Sequence, residues 1–248
     1  MGVHHHAHTA RKKWTHYFWE FLMLFLAVFC GFLAEYYLEH TIEHNREKQF
    51  INSLINDIEA DTVQLSRIKG FRLGRLSNID SLTSYLTRNT SGTISLSGIQ
   101  LLEDVKGHVS FYQNSGTLDQ LKNAGGLRLI RRRIVVDSIQ AYDQQIKRMV
   151  QRDLFELDEM RYAVRLSYKL VDGVMVSNIR TDTTYFNNNS LRTNMSKQVT
   201  LNSQYVSEYL NNLIFFRFIV MNNLLLQENI KKKGEDLLML LKKEYHLK

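Results

Sequence analysis

The segment HYFWEFLMLFLAVFCGFLAEYYLEH, His16 to His40, constrains this chain more than any other stretch. Its centre, Phe21 to Ala34, carries no charge and must be hidden from water. It could be a secretion signal, a lipoprotein signal, a buried core helix or a permanent membrane anchor. A cleavable signal needs small residues at the minus-three and minus-one positions of its cut. Ending at Ala34 puts Phe32 at minus three, and ending at Ala27 puts Phe25 there. A lipoprotein signal needs a small residue ahead of its cysteine, whereas Phe29 precedes Cys30. From Trp14 to Tyr36 a helix rising 1.5 Å per residue covers about 33 Å, the thickness of a hydrocarbon core with its margins. Trp14, Tyr17 and Trp19 stand at one end and Tyr36 and Tyr37 at the other, as interfacial aromatic belts require. Arg11, Lys12 and Lys13 precede the run, and Glu35, Glu39, Glu43 and Glu47 follow it. The positive-inside rule then predicts a cytoplasmic N-terminus over 1–16, a transmembrane helix over 17–38 and an extracytoplasmic domain over 39–248. A buried soluble helix is the competing reading, because the charge-free run is short for a span.

Proline is absent from the 248 residues, where average usage gives about twelve, so nothing forces a kink in a long helix. Ile51, Leu54, Ile55, Ile58, Leu65 and Ile68 recur at threes and fours, and Leu73, Leu76, Ile79, Leu82 and Leu86 extend the pattern. This predicts a helix over about 39–87. RNTSGTISLSG, Arg88 to Gly98, reads as a loop. Thr117 and Gln120 read as a capping box opening a short helix over about 118–124, closed by Gly125 and Gly126. Val135, Ile139, Tyr142, Ile146, Met149, Leu157, Met160 and Val164 mark a helix over about 133–170. Asn178 to Gln198 is asparagine-rich and reads as a surface loop, and a last helix is expected over about 204–246.

LIFFRFIVM, Leu213 to Met221 in that last helix, raises a second span within 208–226. Arg217 at its centre adds about 2.5 to 3.5 kcal/mol on insertion scales, so a buried bundle helix is the preferred reading. A hairpin returning both termini to the cytoplasm is the alternative, favoured by Lys231 to Lys233. The expected fold is mainly α: an N-terminal transmembrane helix continuing into an extracytoplasmic antiparallel helical bundle with coiled-coil character.

HYFWEFLMLFLAVFCGFLAEYYLEH, REKQFINSLINDIEAD, TLDQLKNAGGLRLI and DSIQAYD together resemble a family of bacterial single-pass inner-membrane proteins known as domain of unknown function 6090. The likeness covers most of the chain. It implies the topology above and a Gram-negative envelope setting, with the bulk of the chain periplasmic. It names no catalytic residues.

His40-Thr-Ile-Glu43-His44 has the H-x-x-E-H spacing of inverted zinc peptidases, in which two histidines hold zinc and the glutamate activates water. No later acid stands out as third ligand, so a solvated juxtamembrane helix explains His40 and His44 better. His4, His5, His6 and His8 suit weak metal coordination or a solvated tail equally. Gly125, Gly126, Arg128 and Arg131 offer a possible anion-binding turn, although a glycine C-cap followed by charge accounts for them. One cysteine excludes an internal disulfide. The net charge of +7 is spread over several segments, which disfavours nucleic acid as a partner. No nucleophile with a recognisable base occurs, so no enzyme activity and no cofactor are expected.

In the apolar run Glu20, Ala27 and Ala34 share one helical face, since positions seven apart are only about 20° out of line. Gly31 adjoins that face and Cys30 borders it. Small residues let helices approach closely in lipid, so this face is a candidate transmembrane interface. Glu20 snorkelling towards cytoplasmic water is the simpler alternative. The expected function is an inner-membrane-anchored periplasmic scaffold or interaction protein, with the bilayer and a second copy or another inner-membrane protein as partners. A ligand-sensing bundle acting through a partner is the second reading, and a zinc peptidase a remote third.

Overall fold

The computed structural model describes residues 14–89, 92–123, 125–174, 176 and 198–247. The histidine-rich tract and Arg11 to Lys13 lie outside them, as does the asparagine-rich stretch apart from Gln198. The chain is mainly helical and divides into two compact units, Met1–Phe50 and Ile51–Lys248.

Helix α1 runs from Trp14 to Arg88, 75 residues without a break, as a proline-free sequence permits. It ends where Asn89 closes onto the Tyr85 carbonyl at 3.1 Å and Gly92 takes a positive φ of 67°. Within the stretch read as a loop, Thr93 to Gly98 take regular structure. Strand β1 (Thr93–Ser95) pairs antiparallel with β2 (Gln198–Thr200), Ile94 opposite Val199, and Ile94 and Val199 are both buried. Ser95 then caps α2 (Leu96–Asp104), its side chain accepting from the Gly98 amide at 3.4 Å. Helix α3 (Gly116–Asn123) begins a residue before Thr117. The box over Thr117 and Gln120 is therefore misplaced: Ser115 stands at the start, its carbonyl accepting from the Asp119 amide at 2.8 Å and its hydroxyl donating to Asp119 at 2.6 Å. Gly125 follows at φ 67°, the left-handed conformation that stops a helix. Helices α4 (Arg133–Leu170) and α5 (Val206–Tyr245) complete the fold, α5 closing on His246 at φ 53° with Lys242 and Lys243 in its last turn.

What binds α1, α4 and α5 within the second unit is a seam of period 3.5. On α1 the buried positions Leu54, Ile58, Asp61, Leu65, Ile68, Arg72, Arg75, Ile79, Leu82 and Leu86 alternate steps of four and three without a slip. On α5 Tyr209, Leu213, Phe216, Val220, Asn223, Gln227, Ile230, Gly234, Leu237 and Leu241 do the same. Val135, Ile139, Tyr142, Ile146, Met149, Asp153 and Glu156 continue it on α4. A strict heptad keeps one narrow face of each helix turned to its neighbours, which is coiled-coil packing.

Side-chain pairs fix the directions. Glu59 meets Lys242 at 3.0 Å, Lys69 meets Glu228 at 2.9 Å and Asp80 meets Arg217 at 2.6 Å, so α1 and α5 run oppositely. Asp61 accepts from Tyr142 at 3.3 Å and Arg75 pairs with Glu156 at 2.5 Å, so α1 and α4 run the same way. Arg152 donates to Asn223 at 3.1 Å and Lys169 lies 3.7 Å from Glu208, so α4 opposes α5.

Candidate functional site

The heptad has a consequence that apolar periodicity alone does not reveal: its middle is charged. Arg72 and Arg75 of α1, Asp153 and Glu156 of α4, and Asn223 and Gln227 of α5 are all buried at seam positions. Arg72 donates to Glu156 at 3.1 Å, to Gln227 at 2.5 Å and to Asp153. Arg75 bonds Glu156 at 2.5 Å and the Gly107 carbonyl. The Asn223 amide donates to Glu156 at 2.8 Å, and Gln227 donates to the Leu65 carbonyl. Asp153 also accepts from the Phe111 amide at 3.1 Å, which ties the α2–α3 connection into the layer. Two cations face two carboxylates, and the layer separates apolar packing around Leu65 and Ile230 from that around Ile79 and Val220. Burial lowers the Arg75 guanidinium to about 10, against the pull of Glu156. It raises the Asp153 carboxyl although Arg72 opposes it. Beside them His108 Nε2 lies 3.0 Å from the Ser110 hydroxyl, and burial, then Arg75, holds its imidazole below its ordinary value.

A second polar group lies about three turns towards Ile51. Asp61 accepts from the Asn114 amide at 2.9 Å and from Tyr142, and burial raises both its carboxyl and the Tyr142 phenol. Among the described residues no three His, Cys, Asp or Glu side chains gather as a metal ion needs.

The residues expected to carry function fare variously. In the first unit Glu20, Ala27, Cys30, Gly31 and Ala34 are all exposed, and a Cβ on Gly31 would meet nothing within 4 Å. His40 stacks on Tyr36 at 5.4 Å and lies 3.9 Å from Glu43, while His44 is 3.5 Å from Glu47. Each histidine is thus matched to a carboxylate one turn on, His40 and Glu43 on a largely exposed face and His44 against the buried Glu47. Arg128 folds over Gly125, reaching 2.9 Å from where a Cβ would stand, and Arg131 has an interaction of its own. Gly126 is buried against Leu121. The turn therefore packs on itself.

Two apolar surfaces remain. Trp14–Arg88 and the helical stretch 203–245 are both long and apolar enough to cross a membrane, but the apolar window of the first has no residue buried and that of the second is 39% buried. In the second, Leu213, Phe216, Ile219 and Val220 are buried and Arg217 forks onto Asp80 through Nε and Nη2 at 2.6 and 3.2 Å. The charge that opposed a span thus has its partner on α1. The opposite face of α5 keeps an outward stripe, Ile214, Phe218, Met221 and Leu225, again at steps of four, three and four.

The fold and these surfaces define a mainly helical protein with a long, unburied apolar helix near its N-terminus. Compared with protein-family models, with curated proteins and with solved structures, the chain matches none.

Proposed function

We propose that the chain is a membrane-anchored helical scaffold or interaction protein, its N-terminal helix in a bacterial inner membrane and its charged-layer coiled coil on the periplasmic side. One observation carries the reading: the apolar stretch between the aromatic belts buries nothing, whereas the same helix from Ile51 onward has its own packed seam. An apolar surface without protein against it is matched by lipid. The flanking charges and the resemblance to domain of unknown function 6090 support the orientation. The exposed stripe on α5 supports association with a second copy or another membrane protein.

A reporter active only outside the cytoplasm, fused after Lys248, tests the topology and is expected to be active. Activity of an insertion at Asn188 with silence at Lys248 would establish a hairpin through 208–226 and overturn this reading.

A further inference from the structure

Between α2 and α3 the chain passes the charged layer without regular structure. Val105 and Phe111 are buried, at 1% and 3% exposure, whereas none of the five residues between them is buried. Lys106 to Ser110 is thus a short bridge pinned at each end by an apolar side chain. Few contacts hold its middle. The Gly107 carbonyl accepts from Arg75 Nη2, and a Cβ on Gly107 would stand 3.2 Å from the Phe71 ring. Lys106 pairs with Glu103 at 2.6 Å and lies 5.0 Å over Tyr168. From Phe111 onward the backbone is tied down more firmly: its amide donates to Asp153, that of Tyr112 to Gln64 at 2.7 Å and that of Asn114 to Asp61 at 2.9 Å.

His108 is the anomaly in the bridge. Its Nε2 has the Ser110 hydroxyl 3.0 Å away, but its Nδ1 is buried with no hydrogen-bond partner among the described residues. A neutral imidazole loses little there, whereas an imidazolium must donate from both nitrogens. The charges that face it are Arg72 and Arg75 on α1 and Asp153 and Glu156 on α4, with Lys106 alongside already paired to Glu103 of α2. From α5 the layer receives only the neutral Asn223 and Gln227. Two carboxylates already answer two guanidinium groups, so a charged His108 would leave the layer with an unmatched positive charge. The long helices are locked by their seam, and the bridge is the part that can yield.

We propose that Lys106 to Ser110 is an acid-operated flap: when His108 takes up a proton its imidazolium leaves the charged layer for water, the Gly107 carbonyl releases Arg75, and the layer opens to solvent while Val105 and Phe111 stay in place. Burial, then Arg75, holds the imidazole below its ordinary 6.5, so the flap is closed above 6.5 and opens as pH falls through the lowered value. The device lies wholly within the second unit and does not depend on the membrane reading.

The test is the mobility of a nitroxide spin label on Val109→Cys, in the full chain in detergent with the lone native cysteine removed by Cys30→Ser. Between about pH 7.5 and about pH 5 the mobile fraction of its spectrum is expected to rise reversibly, at least about twofold. A label on Val63→Cys, on an exposed face of α1, is expected to stay unchanged, and in His108→Gln the rise at Val109 is expected to vanish. A spectrum at Val109 that ignores pH would overturn the proposal. So would an equal rise in His108→Gln, which would move the titration to a carboxylate such as Asp153, or a parallel rise at Val63, which would mean that the helices open together. If labelled Val109→Cys does not fold, a label on Lys106→Cys decides by the same criteria.

Discussion

Arg72 illustrates how one side chain sets the character of the core. It is among the largest fully buried side chains, and it bonds residues of both other long helices. A buried ion pair contributes little net stability over an apolar replacement, because desolving two charges offsets their attraction, but removing one partner strands the other. Arg72→Met is therefore expected to cost about 3–5 kcal/mol by leaving Asp153 and Glu156 short of a counter-charge. Arg217→Ala, which breaks a solvent-facing fork with Asp80, is expected to cost under about 1 kcal/mol. Urea midpoints compare the two, and similar losses would mean that the layer is hydrated. His108 adds a pH dependence of predictable sign. Burial and Arg75, with Arg72 behind it, disfavour its charged form, while Glu156 and Asp153 oppose that shift only in part. With its folded value lowered from 6.5, the neutral imidazole is the form the fold prefers. The full contribution is present above 6.5 and is lost as pH falls through the lowered folded value. His108→Gln, which can keep the bond to Ser110, is expected to flatten the fall in urea midpoint between about pH 7.5 and about pH 5.5. An identical fall in both proteins would transfer the effect to another group.

The long helices were legible in the sequence because their apolar period is unbroken by proline, and the four expected ends lie within one residue of those observed: Arg88, Asn123, Leu170 and Tyr245 against 87, 124, 170 and 246. What periodicity misjudged was the phase through the charged layer. Reading apolar residues alone put Leu73 in the core, yet it is 47% exposed, and the seam passes through Arg72 and Arg75 instead. On α4 Leu157, Met160 and Val164 are only partly buried, while Asp153, Glu156 and Ala163 hold the seam. The heptad, followed strictly from Leu65 and Ile68, would have reached both arginines. Strand β1 and helix α2 were hidden because their partners, such as Val199 and Leu82, are distant in sequence, and turn formers dominate locally. Glycines on the helices now separate into two kinds. A Cβ on Gly70 or Gly74 meets nothing within 4 Å, so Gly70→Ala is expected to stabilise by about 0.5–1 kcal/mol through lower backbone entropy in the unfolded chain. At Gly234 a Cβ would stand 3.1 Å from Thr62, 3.2 Å from Tyr142 and 3.5 Å from Ile58. There the gain in helix propensity meets overpacking worth about 1–3 kcal/mol, and Gly234→Ala is expected to lower the urea midpoint. A rise at both sites would show that α5 shifts freely away from α1 and α4.

For the whole molecule, the question is how an anchor and a coiled coil would cooperate in association. Each offers an apolar surface of its own: small residues on one face of the N-terminal helix, and Ile214, Phe218, Met221 and Leu225 on the outside of α5. The driving forces differ. In lipid, contact between helices would come from close packing, which Gly31 permits, whereas in water the α5 stripe would associate by burying hydrophobic surface. Confinement to a membrane would also raise the effective concentration of one soluble part near another, so that two weak contacts would reinforce each other. Gly31→Leu is therefore expected to abolish crosslinking through Cys30, the lone and exposed cysteine, in native membranes. Phe218→Asp is expected to weaken that crosslink only partially, and the two together to leave none. Phe32→Leu, which keeps a large apolar side chain and lies off the small face, serves as the silent control. The mass of the crosslinked product separates a homodimer from a complex with another subunit. An unchanged crosslink in Gly31→Leu would reduce the apolar helix to a tether, and one unchanged in Phe218→Asp would remove the α5 stripe from the assembly.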